Sequence, residues 1–90
     1  MLTVIRSLID REAALVLPAA EITPRADLYG LGLTSFAAVR LLLAVERAFQ
    51  VELPREMLKR ETARSIESIV VALQASQPAP LLAQEWREAA

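Results

Sequence analysis

The stretch that decides the fold runs from Asp27 to Pro54, DLYGLGLTSFAAVRLLLAVERAFQVELP. It begins as a loop, with Gly30 and Gly32 interrupting any sustained period, and turns at Thr34 and Ser35 into an unbroken run of good helix formers, SFAAVRLLLAVERAF. A hydroxyl at the turning point can accept a hydrogen bond from a free helix N–H, so a helix is predicted to open at Thr34 or Ser35 and run to about Phe49. Advancing about 100° per residue from Ser35 places Ala38, Leu41, Leu42, Val45 and Phe49 on one side, the predicted core face. Phe36, Arg40, Leu43 and Arg47 gather on the opposite side, at intervals of four, three and four. Two arginines beside two large apolar groups make a candidate docking patch, because such side chains combine apolar area with specific polar contacts. The plain alternative has Phe36 and Leu43 folded back over the loop and both arginines solvated.

Working outward, Leu2, Ile5, Leu8, Ile9, Leu15 and Val16 recur on a helical period, and Pro18 ends or kinks that first helix near Leu17. The segment from Ala19 to Thr34 reads as a long ordered loop, with Ile22, Leu28 and Leu31 available to dock it on the core. Beyond the decisive stretch, Pro54 suits the first turn of a short third helix through about Arg60, with Leu53, Met57 and Leu58 as apolar contacts. Thr62 is a candidate cap for a fourth helix bearing the stripe Ile66, Ile69, Val70 and Leu73. The expectation is an all-α four-helix bundle with a short third helix and a long loop between the first two. Residues 1–75 form the domain, and 76–90 a linker, SQPAP, followed by LLAQEWREAA. This end is a frayed tail unless Leu82 and Trp86, four apart, cover a surface as a short extra helix.

Ninety residues allow one small domain, and chains of this order bury about 60% of their unfolded surface, too little for a deep, multi-walled active site. Cysteine and histidine are absent, which removes a disulfide, a thiol nucleophile, an imidazole base and a soft-ligand metal cluster, so no metal is expected. Ser35 has no base beside it in the sequence and is a poor self-activated nucleophile; the chain is not expected to be an enzyme. Ten basic and eleven acidic residues, well mixed, lack a nucleic-acid footprint. No apolar run reaches the roughly 20 residues of a membrane span. Arg6, Asp10, Arg11 and Glu12 interrupt the stretch a signal peptide would keep uncharged, and a cytoplasmic monomer is expected.

The segment from Asp27 to Pro54, extended through ETARSIESIV, resembles the acyl carrier proteins and the related peptidyl carrier domains, over about residues 3 to 74. The family's core motif is glycine, a variable residue, aspartate, serine and a large apolar residue; here it reads Gly32, Leu33, Thr34, Ser35 and Phe36. The resemblance implies an acyl-carrier-like bundle in which Ser35, with Gly32 and Thr34 beside it, receives 4'-phosphopantetheine from coenzyme A through a phosphopantetheinyl transferase. It also implies that Phe36 meets partner enzymes; Arg40, Leu43 and Arg47 extend that surface by helix angle, with Leu33 and Met57 at its edge.

Two departures from the family pattern bear on cargo. Thr34 stands where acyl carriers usually have aspartate: it still supplies a capping oxygen but no charge. Ala37, Arg40 and Arg47 replace acids frequent on the second helix of fatty-acid carriers. The run TSFAAVRLLLAVERAF followed by VELPREMLKR is most like the small bacterial aminoacyl carrier proteins, served by stand-alone ligases related to seryl-tRNA synthetases. That ranks an aminoacyl thioester first as cargo, passed to a downstream acceptor enzyme. A fatty-acid, polyketide or peptide-synthesis carrier, and an unmodified helical interaction module, stay open.

Overall fold

The computed structural model describes residues 1–78. The expected tail, with Leu82 and Trp86, lies outside the described residues. Three α-helices and several short 3₁₀ turns build the fold: α1 (Leu2–Glu12), α2 (Ser35–Phe49) and α3 (Ile66–Gln74). The four-helix expectation is thus corrected to a mostly helical bundle of three main helices.

α2 forms where the sequence places it. Thr34 is its N-cap, with extended backbone, and its Oγ1 accepts the Ala37 N–H at 3.1 Å. At the other end Gln50 adopts a left-handed conformation (φ 53°) and donates its N–H to the Arg47 carbonyl. Ala38, Leu41, Leu42 and Val45 are buried and Phe49 is half-buried, as the helical angles predict. Each large buried aliphatic side chain contributes about 1.5–3 kcal/mol.

α1 stops earlier than Pro18 requires. Ala13 turns extended after Glu12, because the chain that follows is bonded elsewhere: the Val16 N–H donates to the Leu31 carbonyl at 3.0 Å. The Arg6 guanidinium donates to the Ala19 and Ile22 carbonyls, and Asp10 Oδ1 accepts the Ala19 N–H at 2.9 Å. These bonds pull residues 13–22 back across α1, and Leu15 packs half-buried on the core instead of extending the helix.

The long loop is ordered by Ile22 and Leu28, both fully in the core, and by half-buried Leu31. Two 3₁₀ turns, Ala19–Glu21 and Tyr29–Leu31, punctuate it. Two backbone bonds stitch it to the start of α3: Leu28 N–H to the Arg64 carbonyl at 2.7 Å, and Glu67 N–H to the Pro24 carbonyl at 2.9 Å.

The expected third helix is instead two 3₁₀ turns, Arg55–Met57 and Arg60–Ala63, separated by Lys59 in an extended conformation. A segment this short cannot recover the cost of helix nucleation from its own hydrogen bonds. Nor does Thr62 cap α3. Ser65 does, in a reciprocal capping box with Ser68: each side chain accepts the other's backbone N–H at 3.0 Å. α3 buries Ile66, Ile69, Ala72 and Leu73, and leaves Val70 half-buried. A minimal antiparallel pair of strands, β1 (Val51–Glu52) and β2 (Gln77–Pro78), ties the end of α2 to the chain after α3.

Thr62 is 4% exposed, and its Oγ1 has no hydrogen-bond partner among the described residues. An unpaired buried hydroxyl costs stability that an apolar isostere recovers. Thr62→Val is expected to stabilise the domain by about 1 kcal/mol, raising the melting temperature by about 4–8 °C. A melting temperature equal to or below that of the wild type, measured by circular dichroism, rejects this.

Candidate functional site

The site is set by the turn that precedes α2. The Leu28 carbonyl accepts the N–H groups of both Leu31 and Leu33, each at 3.0 Å, which folds the chain tightly before the helix. Closing that turn puts Gly32 at φ 113°, a conformation that a side chain makes costly. Leu33 then enters the core, Thr34 caps, and Ser35 emerges as the first helical residue, exposed to solvent.

At the helix start the Ala37 N–H is taken by Thr34 Oγ1 and the Ala38 N–H by the Thr34 carbonyl at 2.9 Å. The Ser35 and Phe36 N–H groups have no protein acceptor among the described residues. They add to the positive end of the helix dipole beside the Ser35 hydroxyl, a setting that favours an attached anion by about 0.3–1 kcal/mol when exposed.

Ser35 also lines a cavity of about 300 Å³ between α2 and the segment from Leu58 to Arg60. Val39, Leu42, Leu43 and Leu58 give it apolar walls, and Tyr29, Lys59 and Arg60 complete it. The Arg60 guanidinium lies 4.0 Å from the centroid of the Tyr29 ring, and the Tyr29 hydroxyl donates to the Arg60 carbonyl at 2.8 Å. Partial burial pushes the Tyr29 hydroxyl above its ordinary range against the opposing pull of the Arg60 charge, so it stays a neutral donor. Among the described residues no carboxylate lines this cavity.

The predicted docking residues divide. Phe36 (74% exposed), Arg40, Leu43 and Arg47 all face outward on α2, in a row that starts beside Ser35 and runs along the helix. Arg40 is not a free charge: its Nη2 pairs with Glu12 Oε1 at 3.0 Å, and its guanidinium carbon lies 5.9 Å from the Phe36 ring centroid. Arg47 has no salt-bridge partner among the described residues. Leu33, expected at the patch edge, is 5% exposed and supports the turn from inside. Met57 is half-buried and lines a separate cavity with Thr62 and Val71, apart from Ser35.

Sequence reasoning missed Val39, Lys59, Arg60 and the Glu12–Arg40 pair. Val39 carried a signal, since it lies one helical turn after Ser35; Lys59 and Arg60 carried none, because short 3₁₀ segments have no period to read.

The site thus brings together an exposed hydroxyl, a helix start that favours an anion and an exposed helix face. The family model "Phosphopantetheine attachment site" matches residues 3–73, and the chain belongs to this family of carrier proteins. It is 42% identical over 65 residues to an aminoacyl carrier protein of Agrobacterium fabrum, covering 72% of this chain and 78% of the relative. It is 39% identical over 51 residues to aminoacyl carrier protein 1 of Bradyrhizobium diazoefficiens, covering 57% of each. The fold is similar, with a TM-score of 0.78 and 38% identity, to a chain in the crystal structure of an engineered Bradyrhizobium japonicum glycine:[carrier protein] ligase complexed with carrier protein from Agrobacterium tumefaciens and AMP. That match covers 82% of this chain and 99% of the other. A solution structure from Agrobacterium tumefaciens matches over the full length of both chains, with a TM-score of 0.63 and 36% identity.

Proposed function

We propose that Ser35 is the attachment point of 4'-phosphopantetheine and that the arm carries an aminoacyl group as a thioester. The observation that carries this reading is the placement of Ser35: an exposed hydroxyl at the first position of α2, beside two N–H groups without a protein acceptor. In the attachment step Ser35 Oγ bonds to the phosphorus bearing the pantetheine, the pyrophosphate bond of coenzyme A breaks, and adenosine bisphosphate leaves. The serine proton passes to a base on the phosphopantetheinyl transferase, since no carboxylate lines the cavity beside Ser35 among the described residues. Thr34 and Gly32 hold the turn that presents the hydroxyl, and the arm's thiol takes the cargo. The loading partner is a stand-alone amino acid:carrier protein ligase, a reading supported by the glycine ligase complex that contains a similar carrier.

Incubation with coenzyme A and a broad-specificity transferase, followed by intact-mass analysis, is expected to show addition of one phosphopantetheine. Failure with every competent transferase, including the cognate one, overturns the reading.

Phe36, Leu43 and Arg47 are the proposed ligase contacts. With Arg40 already paired to Glu12, Arg47 is the positive charge this face has to offer. Arg47→Glu is expected to lower kcat/KM for loading about three- to tenfold through slower encounter, with the helical signal retained. Unchanged loading kinetics reject the role of Arg47.

A further inference from the structure

The chain that leaves α1 runs beside the turn that leads into α2. Val16 donates its N–H to the Leu31 carbonyl, and a side chain on Gly32 would start 3.7 Å from the Ala14 carbonyl oxygen. Glu12, the last residue of α1, is thereby held beside α2, where its Oε1 accepts from Arg40 Nη2 at 3.0 Å. The Glu12 side chain is 15% exposed, and this is its one side-chain hydrogen bond among the described residues. Arg40 follows Phe36 by one helical turn, and its guanidinium carbon lies 5.9 Å from the Phe36 ring centroid, within reach of a cation–ring attraction. Phe36 is mostly exposed, so the core holds little of its ring. The group beside the ring is a cation that is itself anchored on another helix.

We propose that Glu12 is a positioning residue for partner docking: by anchoring Arg40 from α1 it holds the Phe36 ring in the orientation offered to the loading ligase. The proposal rests on Phe36 as a ligase contact. A free arginine on a helix surface samples many rotamers and gives the ring no fixed neighbour. Tied to Glu12, the guanidinium keeps one place, and part of the cost of ordering the ring is met before the ligase arrives. The face therefore asks of its partner an apolar pocket for Phe36 and an acidic group opposite Arg47, with none opposite Arg40, whose charge Glu12 already answers. A role through charge alone predicts the reverse of positioning. Removing the Glu12 carboxylate leaves an extra unpaired positive charge on this face, which favours encounter with an acidic partner, whereas loss of positioning weakens docking.

The orientation is read first on the protein alone. Three-bond couplings about the Phe36 χ1 bond are expected to report one dominant rotamer in the wild type and an average over several in Glu12→Ala. Loading of the holo carrier by its cognate amino acid:carrier protein ligase is then followed by intact mass. Glu12→Ala is expected to raise KM about two- to fivefold with kcat unchanged, the scale of ordering one side chain on binding. In a Phe36→Ala background the same substitution is expected to change KM less than about 1.5-fold. The melting temperature is expected to stay close to that of the wild type, since a partly exposed ion pair contributes little to stability.

A single Phe36 rotamer in Glu12→Ala, or an unchanged or lowered KM, overturns the positioning, as does a Glu12→Ala effect of equal size with and without the Phe36 ring. Absence of loading of the wild-type holo carrier, or loading that Phe36→Ala leaves unchanged, removes the ligase-contact reading and the positioning with it. A loss with Phe36→Ala and none with Glu12→Ala removes the positioning alone.

Discussion

Ser35→Ala is expected to abolish phosphopantetheine attachment completely while leaving the domain as stable as the wild type. The hydroxyl is exposed and makes no hydrogen bond among the described residues, and the cap that opens α2 belongs to Thr34. Alanine is at least as good a helix former as serine, so the stability change is expected to stay within about 0.5 kcal/mol. The effect on modification has no such tolerance, because Ser35 Oγ is the atom that would bond to phosphorus. Intact-mass analysis of wild type and variant, side by side with the transferase in excess, separates the outcomes. Equal mass gain in the variant moves the arm to another residue and removes the site assignment. Loss of modification accompanied by loss of the helical signal points to the fold, which is why thermal unfolding is followed on the same samples.

The start of α2 at Ser35 was legible because local chemistry governs it. A hydroxyl cap, an uninterrupted run of helix formers and a glycine just before them all point to one helix start, and no distant contact has to be known. The ends of α1 and α3 depend on more. Leu15 and Val16 fit a helical period, yet the Val16 N–H is claimed by Leu31 from across the loop. Thr62 and Ser65 are both plausible caps in the sequence ETARSIES; Ser65 prevails because Ser68, three residues later, completes a capping box, while Arg64 and Glu67 bond to Leu28 and Pro24. Tertiary bonds of this kind outweigh propensities worth a few tenths of a kcal/mol per residue.

On the outer face of α2, helix angles placed Phe36, Arg40, Leu43 and Arg47 outward correctly, but not the state of Arg40. Its partner Glu12 is 28 residues away on another helix, beyond the reach of any periodicity. The wall of the Ser35 cavity opposite α2 was hidden for a similar reason. Lys59 stands between two 3₁₀ turns, and only the folded loop brings Tyr29 against Arg60 to make the wall.

Leu28→Ala carries the largest expected cost to stability, and it tests whether the loop is built as the geometry indicates. Leu28 belongs to a loop by sequence, yet its side chain is 0% exposed in a core shared with residues of all three helices. Its backbone N–H bonds to Arg64 at 2.7 Å, and its carbonyl holds the Leu31 and Leu33 N–H groups. The side chain thus pins the peptide groups that shape the approach to Ser35. Truncating a buried leucine costs about 2–5 kcal/mol through lost transfer energy and the cavity left behind. Total stability for a domain of this size is about 5–13 kcal/mol, so the loss is a large share of it. Urea unfolding monitored by circular dichroism is expected to show a destabilisation of about 3 kcal/mol. A loss below about 1 kcal/mol would place Leu28 outside the cooperative core and make the loop an appendage. The expected loss makes the turn that presents Ser35 part of the same cooperative unit as the helices, so that the Ser35 hydroxyl is held at the helix start only while the whole bundle is folded.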